Sequence, residues 1–418
     1  MKRHLLQWGG ILVFALAHAL PANAQSLTLD QALRLAEAQS PRLAAQRSAV
    51  AASSEQVGRA GELPDPKLRV GIDNLPITGP DAFRYDRDSM TMRAIGLMQE
   101  FPNSAKREAR NLRAERQRDM ETVGLAAQRA ALARDVAATW LEVHYAERAR
   151  TVLERLVRQY QLQVDTLAAG VARGRQGTAD AFMVRGALEQ ANDRVIEQER
   201  VIERARIMLV SLVGEAGRRP LAAAPETLVF AHPREHLVSS LDEHPELRVQ
   251  KQREALARAE VDVARSSAKS DWALEVGYGH RAPAFDNMLT VVLSFDLPWQ
   301  TGRRQDRDIA TRLAEVDQAR AKREDARRMH EAEVRGWLAD FDTAERRIVR
   351  FERTLLPLAR ERSQAALAAY QGARGELGSV LEAERALTET ELALNQVLAE
   401  HAKAWANLNY LYPQDGPR

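Results

Sequence analysis

Between Ser104 and Ala168 the sequence contains no proline and one glycine, Gly124, while apolar and charged residues recur with helical spacing. At 1.5 Å per residue a helix over this stretch is about 95–100 Å long. No globular core covers such a length, so the helix needs neighbours of its own kind packed along it. The composition agrees. Of the 418 residues 28% are charged and only 5% aromatic, with 45% hydrophobic overall, a balance suited to long helices with narrow buried stripes.

The chain is also duplicated. "SPRLAAQ" at 40–46 matches "HPELRVQ" at 244–250, and Pro41 and Pro245 set an offset of 204. "LRVGI" at 68–72 matches "LEVGY" at 274–278, "LMQEFPN" at 97–103 matches "LSFDLPW" at 293–299, and "TWLEVHYAER" at 139–148 matches "GWLADFDTAER" at 336–346. Each half reads helix, strand, strand, long helix, turn, helix. The first repeat is expected over 25–213, with helices at 29–61 and 178–213, strands at 67–75 and 89–101, and the long helix at 104–168. A linker rich in Pro, Gly and Ala follows at 214–233. The second repeat is expected over 234–412, with helices at 235–268 and 376–410, strands at 271–280 and 288–297, and a long helix at 304–369. A short tail occupies 413–418.

The first 24 residues read as an export leader: Lys2 and Arg3, an apolar run from Ile11 to Leu20, and Ala22 and Ala24 spaced for cleavage after Ala24. Removing Lys2 and Arg3 with the leader leaves 58 basic against 58 acidic side chains, which gives no basic footprint for nucleic acid. The chain has no cysteine, so disulfides, thiolate metal sites and an acylated terminal cysteine are excluded.

The candidate strands alternate. Leu68, Val70 and Ile72 fall on one face, with Arg69, Gly71 and Asp73 on the other. Leu289, Val291, Leu293 and Phe295 likewise oppose Thr290, Val292, Ser294 and Asp296. In the second strand Met90, Met92, Ala94 and Met98 oppose Arg93, Ile95, Leu97 and Gln99; Arg93 points to water on the latter side, Ile95 and Leu97 against it. At about 9–12 residues each, the strands have the length of a tilted bilayer crossing. Four strands cannot close a barrel and open edges are not viable in lipid, so spanning requires several copies to pool their strands.

Two Gly-punctured turns, at 170–178 and 372–376, reverse the helices at their far ends, and the glycines are expected to supply positive φ there. "YQGARGELGSVLEA" at 370–383 resembles the tip motif of the TolC family of outer membrane efflux proteins, and the duplicated plan of nearly the whole mature chain is similar to that family's. "LPDPKLRVGIDNLPITGPDAF" at 63–83 and "MTMRAIGLMQEFPN" at 90–103 are most similar to its heavy-metal (cobalt-zinc-cadmium) cation efflux branch.

The resemblance implies a homotrimer: a twelve-stranded β-barrel in the outer membrane continuing into a periplasmic α-helical barrel. This would be the exit duct of an inner-membrane RND pump, joined through a periplasmic adaptor protein. It implies docking at the turn residues Gly174, Arg175, Gly177, Thr178, Gly372, Arg374 and Gly375. Tyr370 and Glu382 match the tip motif's gating tyrosine and second acid. Ser379 stands where an acid is frequent, which shifts the expected gate toward Asp180, with Arg175 or Arg374 as partners. As plain structure, Asp180 and Glu382 are first-turn acids complementing a helix dipole.

Catalytic motifs are absent from the sequence: no Walker, GxSxG, HExxH or GxGxxG pattern occurs, and neither an enzyme nor a cofactor is expected. His232, His236 and His244 are weak metal candidates beside the linker, where Pro233 favours a solvated segment. Met90, Met92 and Met98 share a strand face, where packing outweighs a soft-metal ladder. Two alternatives stay open: a duct of the same family for drugs or secreted substrates, and a soluble periplasmic coiled-coil scaffold.

Overall fold

The computed structural model describes residues 26–172, 177–225 and 228–413. The expected leader and the tail beyond Pro413 lie outside the described residues.

Helix α1 (Leu29–Gln39) opens on a capping box: the Thr28 hydroxyl accepts from the Gln31 amide and the Gln31 side chain accepts from the Thr28 amide, both at 3.1 Å. The single helix expected over 29–61 is instead divided. Ser40 is extended and caps α2 (Pro41–Ala60), whose first position is Pro41, because a proline lacks the N–H that a continuing helix requires. The matching His244–Pro245 breaks the helix in the second half as well, with His244 extended but without a side-chain cap. There the helix expected over 235–268 appears as α5 (Arg234–Ser239), a 3-10 turn at Leu241–Glu243, and α6 (Pro245–Ser267) beginning at Pro245. The remaining helices are α3 (Ser104–Ala172), α4 (Thr178–Val213), α7 (Gln305–Arg350), α8 (Leu356–Gln371) and α9 (Leu377–Asn409).

At 69 residues α3 extends about 100 Å and is the spine of the molecule. Along its length it packs against α2 and α6 toward the strands, and against α4 and α9 elsewhere. The long helix expected over 304–369 is interrupted: a π turn at Phe351–Leu355 separates α7 from α8. Pro357 lies in the first turn of α8, and the extra residue of the π turn accommodates its missing N–H.

The principal core lies midway along the spine. Trp140, Val136, Val143 and Leu141 of α3 meet Leu209 of α4, Val334 and Phe341 of α7, and Leu408 of α9. The Trp140 indole donates to the Leu27 carbonyl at 3.1 Å, and Leu27 forms a parallel bridge with Leu221. The linker is thereby strapped across the helices. It is held again where the Trp405 indole donates to the Val229 carbonyl at 2.9 Å and the Ala231 amide donates to Asn409 Oδ1 at 2.8 Å. Between α6 and α7 the buried carboxylate of Glu254 is paired with Arg258 and with Arg323 at 2.9 Å.

Candidate channel elements

The strands β1 (Lys67–Asp73), β2 (Met92–Phe101), β3 (Trp272–His280) and β4 (Met288–Phe295) form one antiparallel sheet in sequence order. They are shorter than expected: β1 stops at Asp73, before Asn74 with φ of 56°; β2 starts at Met92; β4 ends at Phe295. No helix among the described residues is long and apolar enough to cross a membrane.

Register assigns the two faces. Leu68 aligns with Leu97, Val276 and Val291, and Val70 aligns with Ile95, Tyr278 and Leu289. These apolar side chains are exposed, from 42% at Val276 to 72% at Leu289. The opposite face aligns Arg69 with Gly96, Gly277 and Thr290, and carries ion pairs of Lys67 with Glu100 and of Arg69 with Asp73 (2.8 Å) and Glu275 (3.3 Å). Such a division suits hydrocarbon on one side and water on the other. It also resolves the second strand. Ile95 and Leu97 belong to the apolar face, while Met92, Ala94 and Met98 lie on the polar one. Arg93 shares the apolar face only at its rim, where its guanidinium sits 4.7 Å from the Tyr85 ring centroid. At the other rim Phe101 stacks on Trp272 at 4.1 Å, so aromatic residues stand at both ends.

The distal tip has its own small core: Leu156, Tyr160 and Leu167 of α3, Val184 and Leu188 of α4, Leu377 and Leu381 of α9, with Tyr370 packed against it. Gly174 and Arg175 lie outside the described residues. Gly177 is the extended N-cap of α4, Thr178 its first residue and exposed, and Asp180, in its first turn, is partly buried.

In the second turn the glycines do not supply positive φ. Gly372 has φ of −81°, and the left-handed position is Ala373 at 55°. Gly375 is required by closeness instead: a Cβ there would stand 3.1 Å from Ala369 Cβ and 3.2 Å from the Tyr370 amide nitrogen. The Arg374 amide closes the turn on the Ala369 carbonyl at 2.9 Å, and its side chain forms no ion pair among the described residues. Glu382 is paired, but with Arg362 of α8 at 2.7 Å.

Sequence reasoning missed Glu384. It is buried on α9 and accepts from Gln163 of α3 at 2.9 Å, and burial pushes its carboxyl above the usual carboxylate range. Its spacing four residues from buried Val380 and Thr388 is the signal that could have found it.

The histidines divide. His232 and His236 flank Tyr412, with ring centroids 6.2 Å apart, and His236 Nδ1 lies 2.9 Å from the Ser240 hydroxyl. His244 is fully buried and pairs with His330 of α7, Nδ1 to Nε2 at 2.6 Å. His330 stands 3.5 Å from Glu246, itself paired with Arg134 of α3, and 3.6 Å from Glu333. Among the described residues no group of three His, Cys, Asp or Glu is arranged to hold a metal.

Burial, then His330, Arg134 and His236, bring the His244 pKa down to about 4. An unfolded imidazole titrates near 6.5, so the neutral form stabilises the fold fully above that pH and the contribution is lost as pH falls through about 4. Acid unfolding followed by circular dichroism is expected to show roughly 3 kcal/mol of lost stability per chain across that window. A His244→Gln variant should lack most of it, and an identical acid profile for the variant would remove His244 as the cause.

Residues 32–215 match the family model described as outer membrane efflux protein. No curated protein matches the chain. Among solved structures, a membrane protein from Pseudomonas aeruginosa is similar at 18% identity with a TM-score of 0.79, covering 92% of each chain. The Campylobacter jejuni CmeC outer membrane channel is similar at 13% identity and 0.79, covering 93% of this chain and 87% of that one. CusC, whose crystal structures concern folding and transmembrane channel formation, is similar at 17% and 0.77, covering 92% of each chain. At these identities the likeness is one of fold. The chain therefore carries the sequence pattern of the outer membrane efflux protein family over residues 32–215, and over more than nine-tenths of its length it has the fold of solved bacterial membrane channels.

Proposed function

We propose that three copies of this chain form the outer-membrane exit duct of a tripartite RND-type efflux system that exports heavy-metal cations. The observation that carries the reading is the sheet. Its β1 and β4 edges have no partner among the described residues, and the middle of one face is apolar and exposed. In lipid both liabilities disappear together if β4 of one copy pairs with β1 of the next, so that the sheet closes and its apolar face turns outward. Closure of this kind adds strands in fours, and the family resemblance supplies the number three. The spine of about 100 Å then carries the duct through the periplasm. The heavy-metal assignment rests on the resemblance of 63–83 and 90–103 to that branch.

In this reading the adaptor meets the tip at Gly174, Arg175, Gly177, Thr178, Gly372, Arg374 and Gly375, and Asp180, Tyr370 and Glu382 control its opening. The Glu382 to Arg362 pair is solvent-exposed, and such pairs contribute at most about 1 kcal/mol. Charge reversal at Glu382 or Asp180 is accordingly expected to raise the open population by up to roughly fivefold, read as single-channel conductance in a planar bilayer. Unchanged conductance for both variants would retire the gate assignment and leave the duct standing.

The deciding experiment is the native mass of the protein extracted in detergent from the outer-membrane fraction. Three chains per particle are expected. A single chain recovered from the soluble periplasm would overturn the duct in favour of a coiled-coil scaffold.

A further inference from the structure

Where β4 leaves the sheet, residues of the 296–305 segment line an open cleft of about 360 Å³ beside the start of α3 and the end of α6. Its wall includes Lys106, Lys269, Arg304, Asp296, Leu297 and Trp299. Three cations therefore face one acid of the wall. Lys106 is already committed to Asp271 at 2.9 Å, whereas Lys269 and Arg304 form no ion pair among the described residues.

Two further features mark the place. The backbone at Gln300, in the wall, is held at φ of 121°, a conformation that non-glycine residues rarely adopt. The side-chain oxygen of Gln305 is buried there without a hydrogen-bond partner; as an acceptor it cannot bind an anion, which leaves that role to the cations of the wall. Just beyond the end of β4 the wall presents Leu297 and Trp299, exposed at 74% and 81%. Cations beside an exposed tryptophan, at the end of a strand that carries an apolar face, match a charged headgroup with its acyl chains running along the sheet.

We infer that this cleft holds the phosphodiester headgroup of an anionic phospholipid in the leaflet next to the helical body. Lys269 and Arg304 receive the phosphate oxygens, Lys106 forms the cationic floor, and Leu297 and Trp299 lie against the first acyl carbons. The inference rests on the sheet spanning the membrane, and its test is independent of that reading because it is made on the purified protein.

The full chain in neutral detergent is titrated with phosphatidylglycerol and with phosphatidylcholine of the same acyl chains, and bound lipid is counted by native mass spectrometry. Two unpaired cations predict a preference for phosphatidylglycerol of roughly thirtyfold. The K269Q/R304Q double variant should lose the preference, while R304K keeps most of it. Equal retention of the two lipids, or a preference that survives the double variant, overturns the site. Competition by millimolar inorganic phosphate as effective as the lipid would make it a free-phosphate site and overturn the lipid assignment. A protein that keeps the preference in detergent but does not fractionate with membranes would refute the spanning sheet and not the headgroup site.

Discussion

Trp140→Ala is expected to remove about 3–5 kcal/mol of stability per chain, the range for deleting a fully buried aromatic side chain. The loss is large because Trp140 serves two purposes. It fills the principal core between α3, α4 and α9, and its indole holds the Leu27 carbonyl beneath the linker strap. Trp140→Phe separates the two. The Leu27 carbonyl keeps the Ala222 amide at 3.1 Å as a second partner, so losing the indole N–H alone should cost about 1 kcal/mol. Chemical unfolding of the purified protein measures both. Equal midpoints for the alanine variant and the parent would show that the strap and core do not limit stability.

Val276→Arg tests what lies outside the sheet. Val276 is central, aligned between Leu97 and Val291, and 42% exposed. In water an arginine there would change stability by no more than about 0.5 kcal/mol. Facing the middle of a bilayer it costs about 2–4 kcal/mol in each copy. The expected result is a sharp fall in folded protein recovered from the outer membrane. Thr290→Arg, on the polar face, should be recovered normally. Equal recovery of the two variants would mean that the apolar face does not meet lipid.

The architecture was legible because it is written in periods that survive in any context. Helical spacing sustained without proline over 104–168 specifies a helix, and alternation in β1 and, Val292 apart, in β4 assigns their faces. Features that depend on tertiary partners were not legible. The faces of β2 could not be separated by composition, since Met92 and Met98 balance Ile95 and Leu97; pairing with β1 and β3 decided it. His330 lies 86 residues from His244 in the middle of α7, and only its place four residues before buried Val334 hints at burial.

Prolines were under-read. Pro41, Pro245 and Pro357 each mark a break where a continuous helix was expected. At the tip, glycine suggested backbone freedom, whereas the constraint at Gly375 is lack of room and the unusual backbone belongs to Ala373.

The duplication is exact in plan but not in mechanics. In the first half α3 runs unbroken from the strands to the tip, so its ladder of i to i−4 hydrogen bonds resists bending at every turn. In the second half the same distance is divided between α7 and α8 by the π turn before Pro357, where that ladder changes pitch. The helix leading to the second turn therefore carries, at residues 351–355, a change of hydrogen-bond pattern that the helix leading to the first turn lacks. The two turns thus rest on unlike supports, an unbroken helix beneath the first and a helix with one altered hydrogen-bonded turn beneath the second.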